Sequence, residues 1–78
     1  MTEIQFAKEL DCSGLSCPLP IVKTKKAISE LSNGQILKMI STDPGSSADM
    51  ASWSLRTGHE IVKSETENGK FIFYVKHK

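Results

Sequence analysis

The stretch DCSGLSCPLP, residues 11–20, holds the residue types and spacing most suited to chemistry in this chain. Cys17 stands behind a glycine-bearing loop and ahead of two prolines at alternate positions, Pro18 and Pro20. Pro18 suits the first position of a helix, where an amide hydrogen would have no partner. The residue before a proline is pushed toward extended geometry, which is the geometry of an N-cap. Cys17 is therefore expected at the start of a helix, beside the positive end of its dipole. Such a setting lowers a thiol pKa from about 8.5 toward neutrality, and the thiolate is the nucleophile. Pro20 removes a second amide hydrogen from the first turn and leaves that of Leu19 as the main donor to the sulfur. Read this way, Cys17 is an exposed and rigidly aimed nucleophile. A cysteine at a helix start also fits plain packing, and the residues alone leave these two readings level.

Other residues carry weaker signals. Asp43, in TDPGSS (42–47), could cap its own turn or touch a partner. Lys23, Lys25 and Lys26 follow the cysteine. Singly they read as a solvated helix face, and Lys25, two turns along, is the best placed to dock an acidic partner. His59 could act as a base but more simply starts a strand. Cys12, Cys17, His59 and His77 match no zinc spacing, and the two prolines would have no purpose there, so no metal is expected. No cofactor is expected either.

The elements that must position these residues follow from periodicity. IQFAKEL (4–10) alternates, with Ile4, Phe6 and Leu10 on one side and Lys8 as the exception, and reads as a strand. Residues 11–17 read as a loop. Residues 18–31 read as a helix whose buried face carries Ile21, Thr24, Ala27, Ile28 and Leu31. Gly34 is expected to end it in a left-handed conformation. QILKMIS (35–41) is a second strand. A second helix spans about 47–57, with Ser46 and Asp49 as a capping pair, a buried stripe of Ala48, Ala51 and Leu55, and Gly58 as its stop. Trp53 fits either the core or an interface.

EIVKSET (60–66) and KFIFYVK (70–76) flank Asn68-Gly69, a strong hairpin signal because both turn positions need positive φ. That turn pairs Val62 with Val75 and Ser64 with Phe73. Val62, Phe71, Phe73 and Val75 then share the face under the helices, while Ile61, Ile72 and Tyr74 point away. The last strand is the most apolar and belongs inside the sheet. The fold class expected is α+β: a two-layer α/β sandwich of order β-α-β-α-β-β, with a four-stranded mixed sheet and two helices on one face. The first two strands should be parallel, which gathers the loop of Cys17 and the loop of Asp43 at one edge, between two helix starts.

The chain has 78 residues and reads as a single domain over 1–78. Ten basic and nine acidic residues leave a net charge of +1, which argues against direct nucleic-acid binding. No apolar run approaches the roughly 20 residues that span a bilayer, so no membrane is expected as a partner. MTEIQFAKEL lacks the pattern of a secretory signal, and the expected location is the cytoplasm, where thiols stay reduced.

LDCSGLSCPLPIVKTKKAI (10–28) resembles the TusA/SirA-like sulfur carrier family, whose signature Asp-x-x-Gly-x-x-Cys-Pro-x-Pro falls on Asp11, Gly14, Cys17, Pro18 and Pro20. STDPGSSADM looks like the second loop and helix of that family, and GHEIV like its third strand. The resemblance implies a sheet order of first, second, fourth, third, with the fourth strand antiparallel. It implies that Cys17 carries sulfur as a persulfide. The donor would be a cysteine desulfurase or a rhodanese, and the acceptor a sulfur-relay partner serving tRNA thiolation, cofactor synthesis or sulfur metabolism. Such a carrier has no independent turnover. Leu19 stands where tRNA-thiolation carriers have an acidic residue. Cys12 is an additional thiol that could resolve the persulfide or act as a redox partner, against the simpler reading of a small buried residue at a strand end. The rival readings are a small RNA-binding or regulatory module, and a dithiol switch formed by Cys12 and Cys17.

Overall fold

The computed structural model describes residues 5–15 and 19–78. The elements are β1 (Lys8–Cys12), α1 (Leu19–Ser29), β2 (Ile36–Ser41), α2 (Ser46–Thr57), β3 (Glu60–Glu67) and β4 (Lys70–Lys76). They form one four-stranded sheet of order β1-β2-β4-β3. β1 runs parallel to β2, and β4 runs antiparallel to both of its neighbours. This is the α+β architecture and strand order expected, with the apolar β4 in the interior.

The core joins one sheet face to the two helices. Leu37 and Met39 of β2 and Phe73 and Val75 of β4 meet Ala27 and Ile28 of α1 and Met50 and Trp53 of α2. Alternation along β2 is strict, with Leu37, Met39 and Ser41 buried and Ile36, Lys38 and Ile40 half-buried on the opposite face. The face expected for α1 is the one buried, joined by Pro20. Ile21 and Leu31 pack at its margins.

β1 begins later and ends later than its sequence pattern suggests. Pairing starts with the Ala7 amide donating to the Ile36 carbonyl at 2.7 Å, and a bend at Ala7 breaks the alternation upstream. Phe6 therefore does not share a side with Leu10. Its ring lies 6.4 Å from that of Tyr74, with the Lys38 ammonium 5.3 Å from its centre, on the face away from the helices. Ile4 lies outside the described residues. Lys8 is opposite buried Leu37 on the helix-covered side, and its ammonium pairs with Glu30 just beyond α1. Asp11 and Cys12, expected in a loop, belong to the strand.

The turn geometry matches expectation. Asn68 and Gly69 take φ of 49° and 77°, the two positive values a two-residue hairpin loop needs. Gly58 caps α2 in the left-handed conformation, its amide donating to the Ser54 carbonyl. Gly34 is left-handed too, but it sits in a separate turn closed by Gln35 and Ser32 rather than at the end of α1, which stops at Ser29.

Three further expectations are corrected. Ser64 faces Phe73 as the turn dictates, but a bulge between Ile61 and Lys63 leaves Val62 without a partner and sets Ile61 opposite Val75. Ile61, not Val62, packs on the core, and Val62 is 37% exposed. One inserted residue reverses the facing of everything beyond it. In α2 the buried stripe is Ser46, Met50 and Trp53, whereas Ala48 and Ala51 are exposed and Leu55 is 88% exposed. Both stripes have helical spacing, and the one with the bulkier side chains removes more apolar surface from water. Finally, the N-cap of α2 is Gly45 with no side-chain cap bond, so Ser46 is the first helical residue rather than half of a capping pair.

Candidate functional site

The parallel pairing of β1 with β2 puts Cys12 opposite Ser41, so both strands end at the same edge of the sheet. The chain leaves that edge twice, once toward α1 and once toward α2. The start of each helix therefore adjoins this edge, and the connection from β1 contains the cysteine–proline motif. Ser16, Cys17 and Pro18 themselves lie outside the described residues, so the expected N-cap geometry of Cys17 and the place of Pro18 are not described.

The residues on either side are held firmly. Asp11 Oδ1 accepts from the Ser13 amide at 2.9 Å, and the Ser13 hydroxyl and amide together hold its carboxyl below the usual carboxylate value. The Leu15 amide donates to the Cys12 carbonyl at 3.1 Å, closing a tight turn. Gly14 stands in that turn with φ of 81°, and a Cβ there would meet nothing within 4 Å. The requirement for glycine is thus conformational and not steric. The Gly14 amide donates to Thr42 Oγ1 at 2.8 Å, tying the β1–α1 connection to the β2–α2 connection. Downstream, Leu19 opens α1 with 46% exposure. Pro20 is fully buried, and its carbonyl accepts from Thr24 Oγ1 at 2.6 Å.

The second connection is a compact polar turn. Asp43 Oδ1 accepts from the Gly45 amide at 3.1 Å, and the Asp43 carbonyl accepts from the Ser46 amide at 3.0 Å. The Asp43 amide in turn donates to Ser41 Oγ at 3.1 Å. The buried Ser41 and Ser46 hydroxyls share a hydrogen bond of 2.6 Å. Asp43 thus caps its own turn, one of the two roles its sequence left open. Ser41 and Ser46 form a buried polar latch between the sheet and the helix start. Thr42 was not singled out by sequence reasoning, because its significance lies in a contact 28 residues away.

Cys12 is fully buried in the core cluster. Burial pushes its thiol pKa up, which outweighs the nearby Lys23 ammonium that would lower it, and Asp11 adds to the rise. Lys23, Lys25 and Lys26 are all exposed along α1. Val22, 56% exposed, stands among them, so the helix outer surface next to the motif combines cations with the apolar Leu19 and Val22.

His59 and His77 come together, with ring centroids 4.7 Å apart. They adjoin the start of β3 and the end of β4, level with Ile36, whereas Cys12 is level with Ser41 at the other end of β2. Both histidines therefore lie at the opposite end of the sheet from Cys12 and Ser41. Among the described residues no three His, Cys, Asp or Glu side chains gather to hold a metal ion. Among the same residues no helix is long and apolar enough to cross a membrane.

A family model described as sulfurtransferase TusA matches residues 8–77. The chain belongs to the sulfurtransferase TusA family. A relative from Allochromatium vinosum, a sulfur carrier protein TusA, is 49% identical over 91% of this chain and 93% of its own length. A putative sulfur carrier protein from Aquifex aeolicus is 46% identical over 97% of this chain, which spans only 39% of that longer relative. The crystal structure of a SirA-like protein from Desulfitobacterium hafniense superposes with a TM-score of 0.77 over 88% of this chain and 95% of its own. At 22% identity that likeness speaks to the fold alone. TusA-family membership agrees with the resemblance of residues 10–28, and the observed strand order is the one it implied.

Proposed function

We propose that this chain is a sulfur carrier that holds one sulfur atom as a persulfide on Cys17. The observation that carries the reading is the position of the motif in the chain. It falls between Leu15 and Leu19 in the sequence, and the elements that flank it are β1, which ends level with β2, and α1. Helix starts favour negative charge, so both the thiolate of Cys17 and the persulfide anion formed from it are stabilised there.

The transfer balances without an outside oxidant. The Cys17 thiolate attacks the outer sulfur of a persulfide on the donor's cysteine. The donor's S–S bond breaks, its cysteine leaves as a thiolate, and the proton of the donor persulfide ends on the new Cys17 persulfide or in solvent. Handover repeats the exchange with the acceptor's thiolate as the attacking group. The rate depends on thiolate fraction, leaving-group acidity and access.

In this reading Asp11 and Gly14 shape the approach to the cysteine, and Pro18, Leu19 and Pro20 fix the start of α1. Lys25, exposed on α1, is a partner contact, while Asp43 holds its own turn. The donor is a cysteine desulfurase or a rhodanese, the acceptor is a sulfur-relay protein, and the exchange takes place in the cytoplasm. The chain itself turns over no substrate. Buried Cys12, with its raised pKa, is assigned to packing.

Incubation with a cysteine desulfurase and cysteine, or with a persulfide-loaded rhodanese, should add one sulfur atom to the intact protein, removable by reductant. Cys17→Ser should abolish the gain and Cys12→Ser should keep it. Absence of uptake from both donor classes would overturn the reading.

A further inference from the structure

We infer that Thr42 is a positioning residue for the sulfur-bearing loop, acting through its hydroxyl on the Gly14 amide; this rests on the sulfur-carrier reading above. The loop has two buried anchors. Cys12 is locked into the core at the end of β1, and Pro20 is buried in the first turn of α1. Between them run seven residues, 13–19, with Cys17 nearer the α1 side. Asp11 and the Cys12–Leu15 turn order the first part locally. Among the described residues of the loop, the Gly14 amide reaches across to another element, donating to Thr42 Oγ1 at 2.8 Å.

Thr42 can act as that fixed point because its own neighbours are held. Ser41 before it is buried and bonded to Ser46, and the Asp43 amide after it donates to Ser41 Oγ. The threonine backbone therefore follows the sheet and the start of α2, and the hydroxyl passes that position to Gly14. Gly14 is left-handed, so its amide direction is set by a conformation that most residues disfavour. Fixing that amide holds the Gly14 end of the loop against the β2–α2 connection. The Gly14–Thr42 bond is exposed, so water can replace it when the hydroxyl is lost. Its removal should loosen the loop more than it weakens the fold.

The test uses Thr42→Val, which keeps the shape and removes the hydroxyl, and Thr42→Ser, which keeps the hydroxyl. Iodoacetamide labelling of Cys17 across pH, with mass mapping to separate it from Cys12, reads the thiol without any donor protein. Persulfide loading from a cysteine desulfurase reads the carrier step. Thr42→Val should slow loading about fivefold, the rate equivalent of a hydrogen bond worth on the order of 1 kcal/mol. It should also shift the pH midpoint of labelling and speed hydrogen exchange at the Gly14 amide. Thr42→Ser should restore all three.

The inference is overturned if Thr42→Val labels and loads like wild type, or if Thr42→Ser is as impaired as Thr42→Val. It is also overturned if the loss in either variant simply follows its loss of thermal stability. Should Thr42→Val fail to fold, the Gly14 amide of the wild type decides. Slow exchange supports the tie, and exchange as fast as in a free loop overturns it. Failure of the wild type to load would count against the carrier reading, while the labelling profile would still judge Thr42.

Discussion

The indole of Trp53 stacks on the imidazole of His59, with ring centroids 5.3 Å apart and planes inclined by 25°. His59 Nδ1 also accepts from the Lys78 amide at 3.2 Å, and the His77 ring meets His59 edge-on. This cluster joins the end of α2 to the start of β3 and the end of β4, and it surrounds the one tryptophan of the chain.

The cluster makes stability depend on pH. Burial is the main cause that lowers the His59 pKa below its ordinary value, with His77 and Lys78 adding to it. The unfolded chain then binds a proton more readily than the folded one. The contribution of His59 is full above about pH 6.5 and is lost as pH falls from there through the lowered folded value. Urea unfolding followed by Trp53 fluorescence should show a falling midpoint between pH 7 and 5, in a range above the titration of ordinary carboxylates. His59→Gln should flatten that slope. An unchanged slope in the variant would remove His59 as the cause.

The two thiols should differ sharply in reactivity. Cys12 is fully buried and its pKa is raised. In the native protein iodoacetamide should label Cys17 and leave Cys12 nearly untouched, and in denaturant the two should react alike. Native labelling of Cys12 as fast as Cys17 would contradict both its burial and the activation proposed for Cys17.

The rotated face of α2 gives a pair of contrasting substitutions. Met50 is fully buried, and Met50→Ala should cost about 2–5 kcal/mol in urea unfolding, as other core truncations do. Leu55 is 88% exposed, and Leu55→Ala should change stability by less than about 0.5 kcal/mol. Equal effects would mean that α2 presents the other stripe to the sheet.

Pro20 combines packing with backbone chemistry, because it is buried and lies in the first turn of α1. Pro20→Ala returns an amide hydrogen to that turn and loosens the backbone. Persulfide handover should slow more than the small loss of thermal stability explains. A variant that hands sulfur over at the wild-type rate would leave Pro20 with a packing role alone.

Much of the fold was legible because it is written in local interactions. Asn68-Gly69 sets its hairpin through the φ of two adjacent residues, and Gly58 stops α2 by the same means. The face of α1 follows from helical spacing, since Thr24, Ala27 and Ile28 have no competing apolar stripe beside them. β4 lies inside the sheet because five successive residues, Phe71 to Val75, are apolar or aromatic on both faces. The cysteine–proline motif is likewise local, and the strand before it ends level with β2.

Tertiary structure decided the features that depend on partners far along the chain. α2 carries two stripes of helical spacing, and only the fit of Met50 and Trp53 against the sheet selects between them. Ser46 looked like a cap until Ser41, on β2, supplied a buried partner for its hydroxyl. The bulge at Val62 appears only when β3 must match β4, since a single strand has no register by itself. Phe6 and Leu10 part to opposite faces because the chain bends at Ala7 before joining β2. Thr42 meets Gly14 because β1 lies beside β2, and His59 meets His77 through the bulged register of β3 on β4. Local spacing encodes which conformations a segment prefers. Which of two acceptable faces or partners it takes is settled by the surface that the rest of the chain presents to it.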